Sequence, residues 1–345
     1  MQKPKTKQFD KTAKNREGWL KGLAPFIALA VLLILNALFV KNFAAIEIKD
    51  GRLYGSIIDI FHRATPVLLV AIGMTLVIAT KGIDLSVGAV MAIAGTVSAI
   101  LLTQTALPVP AIILIGLVVG AICGMWNGSL VAYLKIQPII ATLILMVAGR
   151  GIAQLLTDGQ KVTFESKAFE FIGTGSILGL PATIYISAVV FIIAAFLARK
   201  TVLGTYIEAV GGNQTAADYC GVNTSHIKLF VYTFCGLCAA LAGMIATADI
   251  KVADASNVGM YLELDAILAV VIGGTLFSGG RFNLSGTVAG ALLIQALATG
   301  ILMKGLGVEY ARIVKAAAVI IICFVQTEYF RSFVSRLLDR RRLPV

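Results

Sequence analysis

Charge is what this chain has least of. Asp, Glu, Lys and Arg make up 14% of its 345 residues, against about a quarter in a soluble domain. That is too little to cover a water-facing surface, and with 58% hydrophobic residues and a mean hydropathy of +0.91 it places the chain among multispanning membrane proteins. Histidine is nearly absent, with only His62 and His226, so imidazole chemistry and histidine-built metal sites have almost no material. The five cysteines, Cys123, Cys220, Cys235, Cys238 and Cys323, sit mostly in apolar runs. Cys235-x-x-Cys238 has no second pair or nearby histidine to complete a zinc site, and the cysteines suggest no disulfide framework. They read as small buried side chains.

Nucleotide chemistry is missing as well. No Gly-x-x-x-x-Gly-Lys-Ser/Thr run exists to cradle phosphates, and Gly173-Thr174-Gly175-Ser176 lacks the third glycine of a dinucleotide fingerprint. No Ser/His/Asp set or paired carboxylates point to an intramembrane enzyme, and Glu263 with Asp265 reads as the charged start of a helix. The net charge of +11 collects largely at the two ends, Lys3 to Lys21 and Arg331 to Arg342, so it sets topology rather than recruiting nucleic acid. Both ends are expected in the cytoplasm.

Apolar runs of spanning length fall near 23–40, 63–80, 84–103, 109–132, 138–157, 181–198, 227–248, 264–279, 284–303 and 312–327. The expected fold is therefore an all-α polytopic membrane protein of about ten transmembrane helices. A basic cytoplasmic segment, 1–22, precedes the transmembrane body, 23–330, and a basic tail, 331–345, follows it. A basic leader before an apolar run also suggests a signal peptide, but the run from Leu23 to Val40 is longer than the usual h-region and is expected to remain as the first helix. Lys81, Lys135, Arg199, Lys200, Lys228 and Arg281 all fall on the turns assigned to the inside. The outside then receives 41–61, 158–180, the acidic stretch 249–265 and the turn near 304–309.

One polar island interrupts the hydrophobic blocks on the inner side. Within 203–225, Tyr206 to Ala209 reads as a helix end or start, Gly211-Gly212-Asn213 as a turn, and Gln214 to Cys220 as a short helix stopped by Gly221. Glu208, Ala209, Gly212, Asn213, Ala216, Ala217 and Gly221 give this hairpin small residues and one carboxylate, a surface another protein can approach closely. A solvated loop is the plainer reading of the segment alone.

Two glycine-rich turns echo each other. Ile72-Gly73-Met74-Thr75-Leu76 is followed by Asp84-Leu85-Ser86, and Ile272-Gly273-Gly274-Thr275-Leu276 by Asn283-Leu284-Ser285. Both copies run outside to inside, as a parallel repeat would. Asp84 can cap the following helix, with Ser86 assisting. Gly116, Gly120, Gly124 and Gly128 form a four-residue ladder on one helix face, which suits a tight helix seam or a dimer or gating interface. Polar residues within spans are the candidates for a translocation path or gate: Asp84, Ser86, Asn127, Arg150 and Gln295, with Gln154 beside them. Arg150, in an apolar run, needs a carboxylate, carbonyls or water.

Lys81-Gly82-Ile83-Asp84-Leu85-Ser86-Val87-Gly88 resembles the Gly-Ile-Asp-Leu-Ser-x-Gly stretch of ribose-type sugar permeases of ATP-binding cassette (ABC) importers. The hairpin at 203–225 is similar to their coupling loop, though Val210 departs from its Glu-Ala-Ala-x-x-x-Gly pattern. Asp50 to Gly55, Leu134 to Pro138, Ala141 to Gly151 and Leu262 to Gly274 extend the resemblance over most of the chain, and bring it nearer the galactofuranose-importing members. The resemblance implies a permease of the bacterial inner membrane without a cofactor of its own. It also implies a partner ATPase that uses ATP and Mg, a second permease chain, either related or a copy of this one, and a periplasmic sugar-binding protein. The competing class, an ion-gradient carrier, would need ionisable groups at the midplane, where only Arg150 lies plausibly deep.

Overall fold

The computed structural model describes residues 11–41, 43–49 and 51–305, with 307, 310, 313–317 and 320 beyond them. Residues 1–10 of the basic leader, most of the expected tenth span at 312–327, Cys323 and the tail lie outside the described residues.

Helix α1 (Lys11–Phe39) leads into a hairpin of β1 (Ile46–Lys49) and β2 (Arg52–Gly55). Then follow α2 (Ser56–Ala79), α3 (Val87–Gln104), α4 (Val109–Ala132) and α5 (Pro138–Leu155). A small surface module holds β3 (Val162–Thr163), α6 (Lys167–Thr174), β4 (Ser176–Ile177) and β5 (Leu180–Pro181). Helix α7 (Ala182–Lys200) descends to the hairpin of α8 (Val202–Gly212) and α9 (Gln214–Tyr219), and α10 (Thr224–Ile250) returns. β6 (Val252–Ala253), α11 (Leu262–Ile272) and α12 (Leu284–Met303) complete the described elements.

Seven described helices, α2, α3, α4, α5, α7, α10 and α12, are long and apolar enough to cross a membrane, and Leu23–Phe39 of α1 adds a shorter apolar stretch. Helices α2, α3, α10 and α12 form the interior, whereas α4, α5 and α7 bury only one face. The core runs from Leu69 and Ile72 of α2 through Met91 of α3 to Tyr232 and Cys235 of α10, all fully or nearly fully buried.

The glycine ladder is a seam inside the chain. A Cβ at Gly124 would strike the Tyr232 carbonyl, one at Gly120 the Ala240 side chain, and one at Gly116 the Met244 sulfur 2.6 Å away. Lacking Cβ atoms on that face, α4 lies against α10 at backbone contact, where dispersion replaces the hydrophobic drive that lipid does not supply.

Two expected spans are corrected. The helix expected over 84–103 starts at Val87, because Lys81 adopts a left-handed φ of 64° and Asp84 to Ser86 form a turn before it. The span expected over 264–279 is a half-length helix, α11, which ends at Ile272, where Gly273 backs onto α12 and Gly274 turns at a φ of 90°. About 16 Å of helix does not cross a bilayer's hydrocarbon core of about 30 Å.

The stretch before α11 explains how so short a helix is accommodated. Gly243 of α10 abuts Met91 and Gly95 of α3 abuts Thr247, so the two helices rise in parallel. Gly88, a turn lower on α3, touches Gly259. Residue 259 therefore lies about 10 Å or more below the end of α10. The stretch expected as an external acidic loop instead dips into the bundle, and α11 begins from that depth.

Candidate functional site

Three regions hold the candidate residues. The first is the hairpin at one end of the bundle. Asn213 joins its two helices: its N–H closes α8 on the Ala209 carbonyl, and its Oδ1 accepts from Ala216 N at 3.1 Å, capping α9. Gly221 stops the second helix at a φ of 83°. Thr224 donates to Asp218 at 2.7 Å and Lys228 to Gln214 at 2.7 Å, which ties the hairpin to the start of α10. Gly211 packs so closely on the Ala79 carbonyl and the Gly280 N–H that a Cβ has no room. Lys81 Nζ reaches the Gly212 carbonyl at 3.2 Å, and Gly280 N donates to Ala79 O at 2.8 Å. The hairpin therefore sits on the ends of both glycine-rich repeats. Its other face is open: Glu208, Ala209, Gly212, Asn213, Ala216 and Gly221 are exposed, and Ala217 is buried.

The second region is a buried polar knot. Asp84 Oδ1 accepts from Ser86 N at 3.0 Å, Ser86 Oγ at 2.7 Å and Asn127 Nδ2 at 3.3 Å, and Asn127 Nδ2 also donates to Ser86 Oγ at 2.8 Å. Asp84 thus holds the turn before α3 and pins it to α4; neither Asp84 nor Ser86 caps α3 with its side chain. In the second repeat Asn283 does cap its helix, accepting from Gly286 N at 3.1 Å, and shares with Asp84 the bond from the hydroxyl two residues on. Ser285 Oγ donates to Asn283 Oδ1 at 3.0 Å, and Thr75 and Thr287 hydroxyls join the repeats at 2.9 Å. The paired residues Asp84 and Asn283 thus match in accepting from the hydroxyl two residues on, but Asp84 is buried while Ser285 is exposed, and Thr75 meets Thr287 rather than its sequence counterpart Thr275.

The third region, at the end opposite the hairpin, is a cleft of about 420 Å³ between α2, α10, α12 and the dipping segment. His62, Arg63, Asp249, Asp254, Asn257 and Gln295 give it polar lining. Gln295 is the one expected path residue that lines it; His62 and Arg63 come from the first turns of α2, Asp249 from the last turn of α10, and Asp254 and Asn257 from the loop that follows. At its rim His62 bonds Thr183 Oγ1 through Nδ1 at 2.9 Å and Asp249 Oδ1 through Nε2 at 3.2 Å, joining α2, α7 and α10. A neighbouring cleft of about 210 Å³ shares His62 and Asp249.

Arg150 stands behind the wall of this cleft. Its Nη1 donates to the carbonyls of Ala255 at 3.0 Å and Val258 at 2.6 Å, and Gln154 adds a bond to Ser256 at 3.2 Å. Asp254 accepts from the N–H groups of Ser256 and Asn257 and pairs with Lys161 at 3.2 Å. Outside the bundle, Lys251 meets Glu170 at 2.7 Å, and that hydrogen bond, with one from the Ser166 N–H, holds the Glu170 carboxyl below its ordinary range. Asp84, Ser86 and Asn127 thus form one cluster, while Arg150 and Gln295 belong to another. No group of His, Cys, Asp and Glu able to hold a metal ion occurs among the described residues.

Residues 56–323 match the family described as the branched-chain amino acid transport system / permease component. The galactofuranose transporter permease protein of Escherichia coli (strain K12) is 52% identical over 95% of this chain and 96% of its own length. The fructose import permease of Bifidobacterium longum (strain NCC 2705) is 39% identical, covering 92% of this chain and 90% of its own. The ribose import permease of Escherichia coli (strain K12) is 36% identical, covering 90% and 95%. Likeness over nearly the whole of each chain makes this protein a member of the ribose-type ABC sugar import permease family.

Proposed function

We propose that this chain imports a monosaccharide, galactofuranose or a related sugar, from periplasm to cytoplasm across the bacterial inner membrane, with both termini cytoplasmic. The 52% identity to a galactofuranose transporter permease supports that substrate class. The hairpin at 203–225 is the seat of a cytoplasmic ABC ATPase, which binds ATP and Mg and hydrolyses the nucleotide. A second permease chain, related or identical, completes the pathway, and a periplasmic sugar-binding protein docks on the opposite end.

The observation that carries this reading is the two-sided hairpin. Gly204, Ile207, Val210 and Gly211 face the bundle and seat it there, while Glu208, Ala209 and Ala216 face outward, exposed among the described residues. A push on the open face is transmitted to Ala79 and Gly280, and so to α2 and to the connection between α11 and α12. Closure of the ATPase dimer would drive that push.

Gentle purification of the tagged chain from its own membrane tests the assignment. A P-loop ATPase in stoichiometric amount, identified by mass spectrometry, is the expected result, and a second permease-like chain distinguishes a heterodimer from a homodimer. Absence of any ATPase after mild extraction and crosslinking would remove the coupling role of the hairpin.

A further inference from the structure

Building on the sugar-import reading, we propose that the cleft between α2, α10, α12 and residues 254–258 is a binding station for a neutral, polyhydroxylated ligand, a monosaccharide in transit.

The cleft offers hydrogen-bonding groups that the protein has left partly unused. Asn257 gives its Nδ2 to Asp254 at 2.9 Å and Gln295 its Nε2 to Thr299 at 3.2 Å, so each amide keeps a carbonyl oxygen without a partner among the described residues. Pro66 lines the same cleft and has no N–H to give to the His62 carbonyl one turn earlier. Among the described residues Arg63 bonds only through its Nε, at 2.8 Å to both Asp59 oxygens, which leaves its terminal nitrogens as donors there. Hydroxyl groups both donate and accept, and a set of two acceptors and a donor fork suits several of them at once.

The charges in the cleft favour a neutral ligand. Asp249 faces His62, Asp254 is paired with Lys161, and Arg63 with Asp59. A cation or an anion would have to compete with pairs already formed, whereas a polyol meets dipoles. Ile245, Ala246 and Val258 give the same space an apolar strip for the C–H face of a ring. A mostly apolar pocket with a few convergent polar groups is the usual form of a small-molecule site.

The test is uptake of labelled galactose, and of deoxygalactose lacking one hydroxyl, by the complete transporter in proteoliposomes, normalised to co-purified ATPase. Asn257→Ala and Gln295→Leu are each expected to slow galactose uptake about fivefold, the loss of roughly one net hydrogen bond. They are also expected to bring the galactose to deoxygalactose rate ratio towards one, which general damage to the fold would not do. Asn257 is exposed on a loop, so its variant keeps the test open should Gln295→Leu fail to assemble. Unchanged uptake and unchanged rate ratio in both variants would overturn the station while the transport reading stands. A wild-type transporter that moves no aldose would overturn the sugar reading, and the station with it.

Discussion

Arg150 Nη1 lies 2.6 Å from the Val258 carbonyl, and the same nitrogen reaches Ala255 at 3.0 Å. A cation on α5 therefore grips the backbone of the segment that walls the cleft, and it does so whatever side chains that segment carries. Helix α5 follows the turn at 133–137, which meets the start of α10 through the Ser225 bond to the Ala132 carbonyl at 3.2 Å and the edge contact of Tyr133 with His226. The hairpin end and the cleft wall are thus joined by one helix.

Arg150→Ala is expected to free the segment. Hydrogen bonds to charged groups contribute about 1.5–3 kcal/mol each, so uptake should fall by about tenfold or more while Arg150→Lys, a single point of contact, recovers part of it. Proteolysis between 251 and 261, measured alongside uptake, reports whether the segment has come loose. Uptake and protection both at the wild-type level in Arg150→Ala would remove the latch.

The open face of the hairpin makes a second expectation specific. Glu208→Lys reverses a carboxylate on the open face of the expected ATPase seat, and Ala216→Trp places bulk where close approach is needed; both positions are exposed, so the fold should tolerate either change. Insertion in the membrane is expected to stay normal while ATP hydrolysis separates from sugar uptake. Reconstituted transporter with wild-type uptake per ATP in both variants would place the coupling contact elsewhere.

Helix seams separate two kinds of glycine. A Cβ at Gly124 meets the Tyr232 carbonyl and the Thr233 Cα, both backbone atoms that cannot swing aside, whereas one at Gly212 meets nothing within 4 Å. Gly124→Ala should cost about 1–3 kcal/mol, the usual range for overpacking, seen as a lower unfolding midpoint in detergent. Gly212→Ala should leave that midpoint unchanged and alter only association with the ATPase. Equal stability of the two variants would contradict the intramolecular seam.

Much of this architecture is legible in the chain because its signals are local. Apolar runs give the spans, Gly221 and Asn213 mark the hairpin, and the spacing of four places the ladder on one face. The dipping segment was not legible: Asp254, Asn257 and Glu263 read as an external acidic loop, since the carbonyl contacts that draw it inward come from Arg150, more than a hundred residues away. Half-length α11 was hidden for a similar reason. Leu262 to Ile272 and the residues after Gly274 form one apolar stretch of spanning length, so the Gly273-Gly274 turn within it does not read as a helix end, which the packing of Gly273 against α12 shows it to be. Arg150 and Gln295 could be chosen as polar residues in apolar runs, but their association with His62 and Asn257 depends on tertiary structure.

The two repeats set the last expectation. Asp84 and Asn283 occupy matching places, and each accepts from the hydroxyl two residues on, Ser86 at 2.7 Å and Ser285 at 3.0 Å. An amide therefore already accepts that hydroxyl once in the fold, although Asn283 takes its backbone bond from Gly286 as a helix cap. Asp84→Asn should keep the turn within about 1 kcal/mol of wild type; Asn127 Oδ1 has no hydrogen-bond partner among the described residues, so an incoming NH₂ does not meet a saturated neighbour. Asp84→Leu leaves the Ser86 N–H, the Ser86 hydroxyl and Asn127 Nδ2 short of an acceptor in a fully buried place, and each such group costs about 1–3 kcal/mol. Unfolding midpoints of the two variants measure the structural role, and uptake by Asp84→Asn measures what the charge itself contributes. A stable Asp84→Asn chain that transports normally makes Asp84 a fixture of the turn, whereas a stable chain that does not transport makes the carboxylate part of the pathway.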